Sequence, residues 1–189
     1  MNPHFLFNTL NNVYSLAELK SDDAPVAILQ LAYLMRYLLY EAAAPQVPLV
    51  RELEHVRICV DLERLRLDQV PIDFALVGNP QGLLIKPMLL IPFVENAFKH
   101  GVGASGRSPI CLRLRVDEQG LTFTVRNCVA AVGSAPAGPG GVGLANVRQR
   151  LALLYPGRHT LVLDRPGADF LATLTLIFAH DLAPLPARG

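Results

Sequence analysis

Not one glycine occurs before Gly78, and all 14 lie from there onward. Glycine weakens a helix interior by roughly 1 kcal/mol relative to alanine and serves tight turns. A glycine-free opening therefore favours helices, and the glycine-rich remainder favours strands and turns. The 189-residue chain divides near residues 66–71. The reading is a helical segment over 1–68, a mixed domain over 69–182 and a tail over 183–189.

Three helices are expected in the first segment. In Pro3 to Leu19, Leu6, Leu10, Val13 and Ala17 recur at helical spacing, while His4, Asn8, Asn11, Ser15 and Glu18 form a polar stripe. Ser21, Asp22 and Asp23 suit an N-cap, and Pro25 suits the first turn of a second helix reaching about Ala43. Ile28, Leu31, Met35 and Leu38, flanked by Ala27, Leu34 and Leu39, leave that helix apolar over most of its circumference, so it must touch more than one neighbour. After Pro45 and Pro48 a third helix spans about Leu49 to Leu67. Arg51, Glu52, Glu54, Arg57, Asp61, Glu63 and Arg64 are assigned to a mixed-charge outer face.

Beyond Asp68 the pattern becomes short strands separated by turns. Val70 to Val77 reads as a strand and Pro87 to His100 as a helix with Gly101 past its end. Ile110 to Val116 and Leu121 to Asn127 alternate apolar and polar residues as a hairpin with one face buried. A helix follows at Val142 to Tyr155, then strands at Thr160 to Asp164 and Asp169 to Phe178. The fold class is α+β: helices first, then a mixed, largely antiparallel sheet packed on helices.

The chain is 51% hydrophobic and 17% charged, more apolar than a typical soluble domain at about 45–50% and 25%. No run of about 18 apolar residues offers a membrane span: Gln30 and Arg36 interrupt Ala27 to Leu39, and Lys86, Pro92, Glu95 and Asn96 interrupt Leu83 to Phe98. Met1 leads straight into Asn2, Pro3 and His4, without the basic and apolar regions of a signal peptide. A soluble chain is expected, its surplus apolar surface covered by a partner. Cys59, Cys111 and Cys128 form neither a disulfide framework nor a zinc knuckle and fit a reducing compartment. A net charge of +1 supplies no phosphate-binding field, so no direct nucleic-acid contact is expected.

Three clusters could carry chemistry. His4 lies near the start of an amphipathic helix, where the dipole disfavours protonation and keeps a nucleophilic nitrogen free; taken alone it reads more simply as a surface or core histidine near a chain end. Asn96, Lys99 and His100 share a face at i, i+3 and i+4, with Glu95 beside them. One carboxamide oxygen and a nearby cation suffice for a magnesium triphosphate, and two cations at a helix end also simply answer its dipole. Gly138 to Leu144 runs into a helix start whose amides could receive phosphate oxygens, or is a linker. It lacks the Gly-Lys-Ser/Thr ending of a P-loop.

In this order the clusters resemble the sensor histidine kinases of the LytS/AlgZ type. Asn2 to Asn8 (NPHFLFN) matches that family's histidine box, Pro92 to Gly101 resembles its N box, and Gly141 to Leu151 its Gly-rich box. The resemblance implies a dimerisation and phosphotransfer segment followed by a GHKL-type ATP-binding domain. It implies His4 as phosphoacceptor, Asn96 as ligand of Mg2+, and Lys99 and His100 near the phosphates of ATP. Gly141 and Gly143 would be the hinges that let a short lid of small residues, ahead of them in the chain, close on ATP, and Leu144 would join them in the ATP site. The implied activity is ATP-dependent phosphorylation of His4 and transfer to an aspartate of a response regulator, with a LytTR-type regulator the expected one. The implied assembly is a homodimer. The implied setting is the cytoplasmic face of an inner-membrane sensor whose upstream region is missing from this chain.

The sequence departs from related ATP domains at two places. Asn127 stands where they place an adenine-reading aspartate, followed by Cys128, Val129, Ala130 and Ala131 in place of glycines; weaker adenine binding is expected. Pro92 stands where hydrolytic relatives place a carboxylate base, and Glu95 is the candidate acceptor of the imidazole proton. Asn127 and the missing glycines also fit a rival, a non-catalytic scaffold or regulator phosphatase with a degenerate ATP domain.

Overall fold

The computed structural model describes residues 3–67, 69–101, 108–128 and 141–178, and of residues 3, 4, 141 and 142 the backbone only. Helix α1 spans Pro3–Glu18. It buries Phe5, Thr9 and Val13, the Thr9 hydroxyl donating to the Phe5 carbonyl at 2.9 Å. The expected stripe is thereby corrected, since Leu10 is 53% exposed and Ala17 lies outside. A threonine that satisfies its own hydroxyl along the helix can be buried at little cost, so the face centred on Phe5 and Val13 turns inward. α1 ends in a Schellman motif with Lys20 at φ 53°; the Ser21 amide donates to the Leu16 carbonyl and the Lys20 amide to that of Ala17.

Helix α2, Ala24–Arg36, has Pro25 in its first turn as expected. The α-helix stops short of Ala43, continuing as a π-helical turn over Tyr37–Glu41 closed by the Ala42 amide on the Tyr37 carbonyl. That turn brings Tyr37 inside while Leu39 and Tyr40 face out. Strand β1, Val47–Pro48, leads into α3, Leu49–Arg66. Here the reading of the outer face is overturned. Glu52 is completely buried and Glu63 nearly so, because α3 lies between α2 on one side and α4, Ile91–His100, on the other. Only part of the charge pattern is outward: Arg51 pairs with Glu41 and Glu54, and Arg64 with Asp61.

The second part is a sheet with helices on it. β2 (Ile72–Val77), β4 (Ile110–Val116), β5 (Gly120–Cys128), β7 (Asp169–Ile177) and β6 (His159–Asp164) lie in the order β2-β4-β5-β7-β6. β2 and β4 are parallel and the other pairs antiparallel, as the fold class requires. Two-residue β3, Leu84–Ile85, pairs with β1 and ties the helical segment to the sheet domain. Helices α4 and α5 (Gly141–Leu154) pack on each other, α4 also on β4 and β5 and α5 on β6. The inward positions of the central strands are Ile110, Leu112, Leu114 and Val116, then Leu121, Phe123, Val125 and Asn127, then Phe170, Ala172, Leu174 and Leu176. One side chain in that layer is a carboxamide.

Candidate functional site

Asn127 is paired in register with Ile110 on one side and Phe170 on the other, at the end of β5. It has no exposed surface. Its Nδ2 donates to the Cys128 carbonyl at 3.1 Å, whereas its Oδ1 is buried without a hydrogen-bond partner. A buried acceptor left unmatched costs about 1–3 kcal/mol, so this atom marks a place where a donor belongs.

The end of α4 sits directly against it. The Gly101 amide closes the helix on the Ala97 carbonyl at 2.7 Å. A Cβ on Gly101 would fall 2.5 Å from Cβ and 2.9 Å from Cγ of Asn127; only glycine lets the helix end lie on the carboxamide. In the two turns before it, Glu95 and Asn96 are half-buried and Lys99 and His100 exposed. The His100 ring is still partly desolvated, which, with the neighbouring Lys99 charge second, lowers its imidazole below the usual range. The structure thus sets the closing turn of α4, which carries Lys99 and His100, beside Asn127, with Asn96 one turn earlier on the same helix.

From the other side comes α5, whose Leu144, Val147 and Leu151 are buried. Gly143 is exposed, and a Cβ there would meet nothing within 4 Å; packing does not demand a glycine at this point. Gly141 opens the helix. Residues 129–140, on which the expected lid falls, lie outside the described residues. No cluster of three or more His, Cys, Asp or Glu able to hold a metal ion exists among the described residues. A cation here would depend on the Asn96 carboxamide oxygen together with oxygens of a ligand.

His4 is on α1, which packs on α2 and α3, while α4 packs chiefly on α3, β5, α5 and β4. Helix α3 is therefore the body between the histidine and the site. Burial pushes the Cys59 thiol of α3 well up, and the charges of the Glu95, Glu52 and Glu63 carboxylates add to the rise.

The sequence reading missed a second polar cluster beneath the first. Glu52 Oε1 accepts the amides of Leu89 and Leu90 at 2.8 and 2.9 Å, and Oε2 accepts the Met88 amide at 3.0 Å and the Tyr37 hydroxyl. Burial raises the Glu52 carboxyl and the four donors pull the other way; burial, followed by the Glu52 charge, raises the Tyr37 phenol, which stays a donor. The His55 ring stacks on Tyr37, centroids 3.6 Å apart. Its Nδ1 meets the Arg51 carbonyl at 2.5 Å, Nε2 is buried and unpartnered, and burial lowers its pKa, so Nδ1 carries the proton. A signal existed: Leu49, Glu52 and Val56 fall at i, i+3 and i+7, which places Glu52 on the apolar stripe.

A helical segment feeding a mixed sheet under two helices is a fold shared with solved histidine kinase catalytic regions. The histidine kinase domain of a blue-light activated kinase from Erythrobacter litoralis covers 93% of this chain and 95% of its own with a TM-score of 0.53 and 14% identity. Histidine kinase ThkA in complex with the response regulator protein TrrA covers 93% of this chain and 59% of its own, with a TM-score of 0.50 and 12% identity. At such identities the likeness is one of fold. Residues 1–70 match the histidine kinase family, and sensor protein LytS of Oceanobacillus iheyensis is 35% identical over 106 residues, 56% of this chain and 18% of that protein. In sequence the chain is similar to the sensor histidine kinases of the LytS type. It spans 18% to 32% of the length of the curated relatives it matches.

Proposed function

We propose that this chain binds ATP with Mg2+ between the end of α4, the end of β5 and the start of α5, and transfers the γ-phosphoryl group to His4. The observation that carries this reading is the buried Asn127 Oδ1, an acceptor without a donor beneath Gly101. The adenine amino group is such a donor. Asn96 would hold the metal through its carboxamide oxygen, and the ion would supply charge neutralisation on the phosphates. Lys99 and His100, exposed in the last turn of α4, would meet the phosphates.

In the transfer, a ring nitrogen of neutral His4 forms a bond to the γ-phosphorus as the bond to the β-phosphate oxygen breaks and ADP departs. The proton on the other ring nitrogen must leave, and Glu95, half-buried on α4 next to Asn96, is the group we assign to take it. Glu95→Gln is expected to slow labelling of the histidine at least tenfold at saturating ATP; an unchanged rate removes the assignment. Phosphorylation then passes to an aspartate of a response regulator, of LytTR type on the family resemblance. A homodimer would cover Phe7, Leu10 and Tyr14 of α1, Val26 and Leu29 of α2 and Leu39 of the π-helical turn, all more than half exposed. No helix among the described residues is long and apolar enough to cross a membrane; we place the chain on the cytoplasmic face of a membrane-anchored sensor.

Incubation with γ-labelled ATP and magnesium tests the reading: base-stable, acid-labile label on the chain is expected, and its absence overturns it. The adenine contact has its own test. Asn127→Asp exchanges a neutral acceptor for a charged one, worth roughly twice a neutral hydrogen bond, but sets a carboxylate against the Cys128 carbonyl that Nδ2 now satisfies. ATP is expected to bind several-fold more tightly while the nucleotide-free protein melts earlier. Unchanged affinity in a calorimetric titration would show that this atom does not read the base.

A further inference from the structure

The segment Lys86–Leu90, immediately before α4, is held from four directions. Glu52 of α3 takes the amides of Met88, Leu89 and Leu90. Arg150 of α5 donates to the carbonyls of Met88 and Pro87 at 3.0 and 3.1 Å, and the Tyr155 hydroxyl, just past α5, accepts the Lys86 amide at 2.9 Å. From the π-helical turn, Tyr37 reaches Glu52 with its hydroxyl, which also lies 3.4 Å from the Met88 amide. Met88 itself has φ 59°, a left-handed conformation that a side chain of this size adopts only where its surroundings impose it. Leu90 at the N-cap offers no side-chain bond of its own, and a carboxylate from another helix holds the Leu90 amide and the two before it.

We propose that Tyr37 and Glu52 are positioning residues that tie the helical segment to the nucleotide end of α4, the Tyr37 hydroxyl fixing the buried carboxylate on which the amino end of α4 is hung. The inference rests on the reading that α4 ends at an ATP site. A ten-residue helix is about 15 Å long and moves as a rod, so a tilt where Glu52 grips it displaces Asn96 and the end that lies on Asn127. The grip is shared with α2, since Tyr37 begins the turn that continues it. A change in the bearing of α2 therefore reaches Asn96 through one hydroxyl, one carboxylate and one helix. Arg150 carries the same displacement into α5.

Tyr37→Phe removes the hydroxyl and keeps the ring that stacks on His55. At saturating ATP the rate of His4 labelling is expected to fall at least tenfold with KM for ATP within twofold of wild type. In parallel, amide exchange at Met88, Leu89, Leu90 and along α4 is expected to quicken at least tenfold while β5 and β7 keep their protection. A rate left unchanged overturns the positioning role, and so does exchange that rises evenly over the whole sheet, which a purely structural contribution would give. If the wild-type chain takes up no label, the kinase reading fails, whereas the exchange pattern of Tyr37→Phe still decides whether the hydroxyl governs the start of α4.

Discussion

Replacing Glu52 with alanine is expected to lower stability by about 3–5 kcal/mol, the cost of leaving several buried donors without an acceptor together with that of the cavity. Three backbone amides and the Tyr37 hydroxyl converge on this carboxylate, and none of them reaches water by a small shift, because Tyr37, Met88, Leu89 and Leu90 are all buried. Domains commonly hold only about 5–15 kcal/mol in total, so the variant should melt roughly 10 °C or more below wild type in a chain of this size. Glu52→Gln keeps the volume and one carbonyl oxygen for Leu89 and Leu90, and its loss should be less than half as large. A urea titration in which Glu52→Ala costs under about 1 kcal/mol would mean that the amides find other acceptors, and that α4 is not hung on this group.

Much of the sheet was legible because its strands alternate strictly: Ile110 to Val116 and the run ending at Asn127 place every second residue inward, and the structure keeps that register. The failures share a cause, which is that tertiary contacts decide what a local pattern leaves open. Periodicity put the inner face of α1 on Leu6 and Leu10, but several faces of that helix are apolar, and the one facing α2 and α3 carries Phe5, Thr9 and Val13. A helix was expected from Pro87, yet regular α-helix begins only at Ile91, because the amides of residues 88–90 are bound by Glu52 and Met88 is left-handed. Strands β1 and β3, two residues each, carry no periodic signal.

The candidate site was legible in its parts. A helix bearing Asn96, Lys99 and His100 and ending at Gly101 could be read from spacing, and so could a strand ending at Asn127. What the sequence did not contain was their meeting, which depends on the missing side chain of Gly101 and on Asn127 falling at an inward position of β5. Glu52 was hidden by its charge. Among Arg51, Glu54 and Arg57 it looks like one more member of a solvated face, and only the identity of its i−3 and i+4 neighbours, Leu49 and Val56, argues otherwise.

His4→Gln is expected to abolish incorporation of label from γ-labelled ATP, to below one part in a hundred of wild type, while leaving ATP affinity within twofold. The separation of the two effects follows from the architecture. His4 is on α1, which rests on α2 and α3, whereas the acceptor that we assign to adenine lies at the end of β5 under α4. Glutamine approximates the length of histidine and offers no nucleophilic nitrogen, since the amide lone pair is delocalised into the carbonyl; attack on phosphorus is lost and the helix is kept. Label that persists in the variant would move the phosphoacceptor to another residue. Label absent from both proteins, with ATP still bound, would favour the scaffold or phosphatase reading, in which the site is occupied without transfer. Loss of label together with loss of ATP binding would contradict the separation itself and require the α1 segment to form part of the nucleotide site.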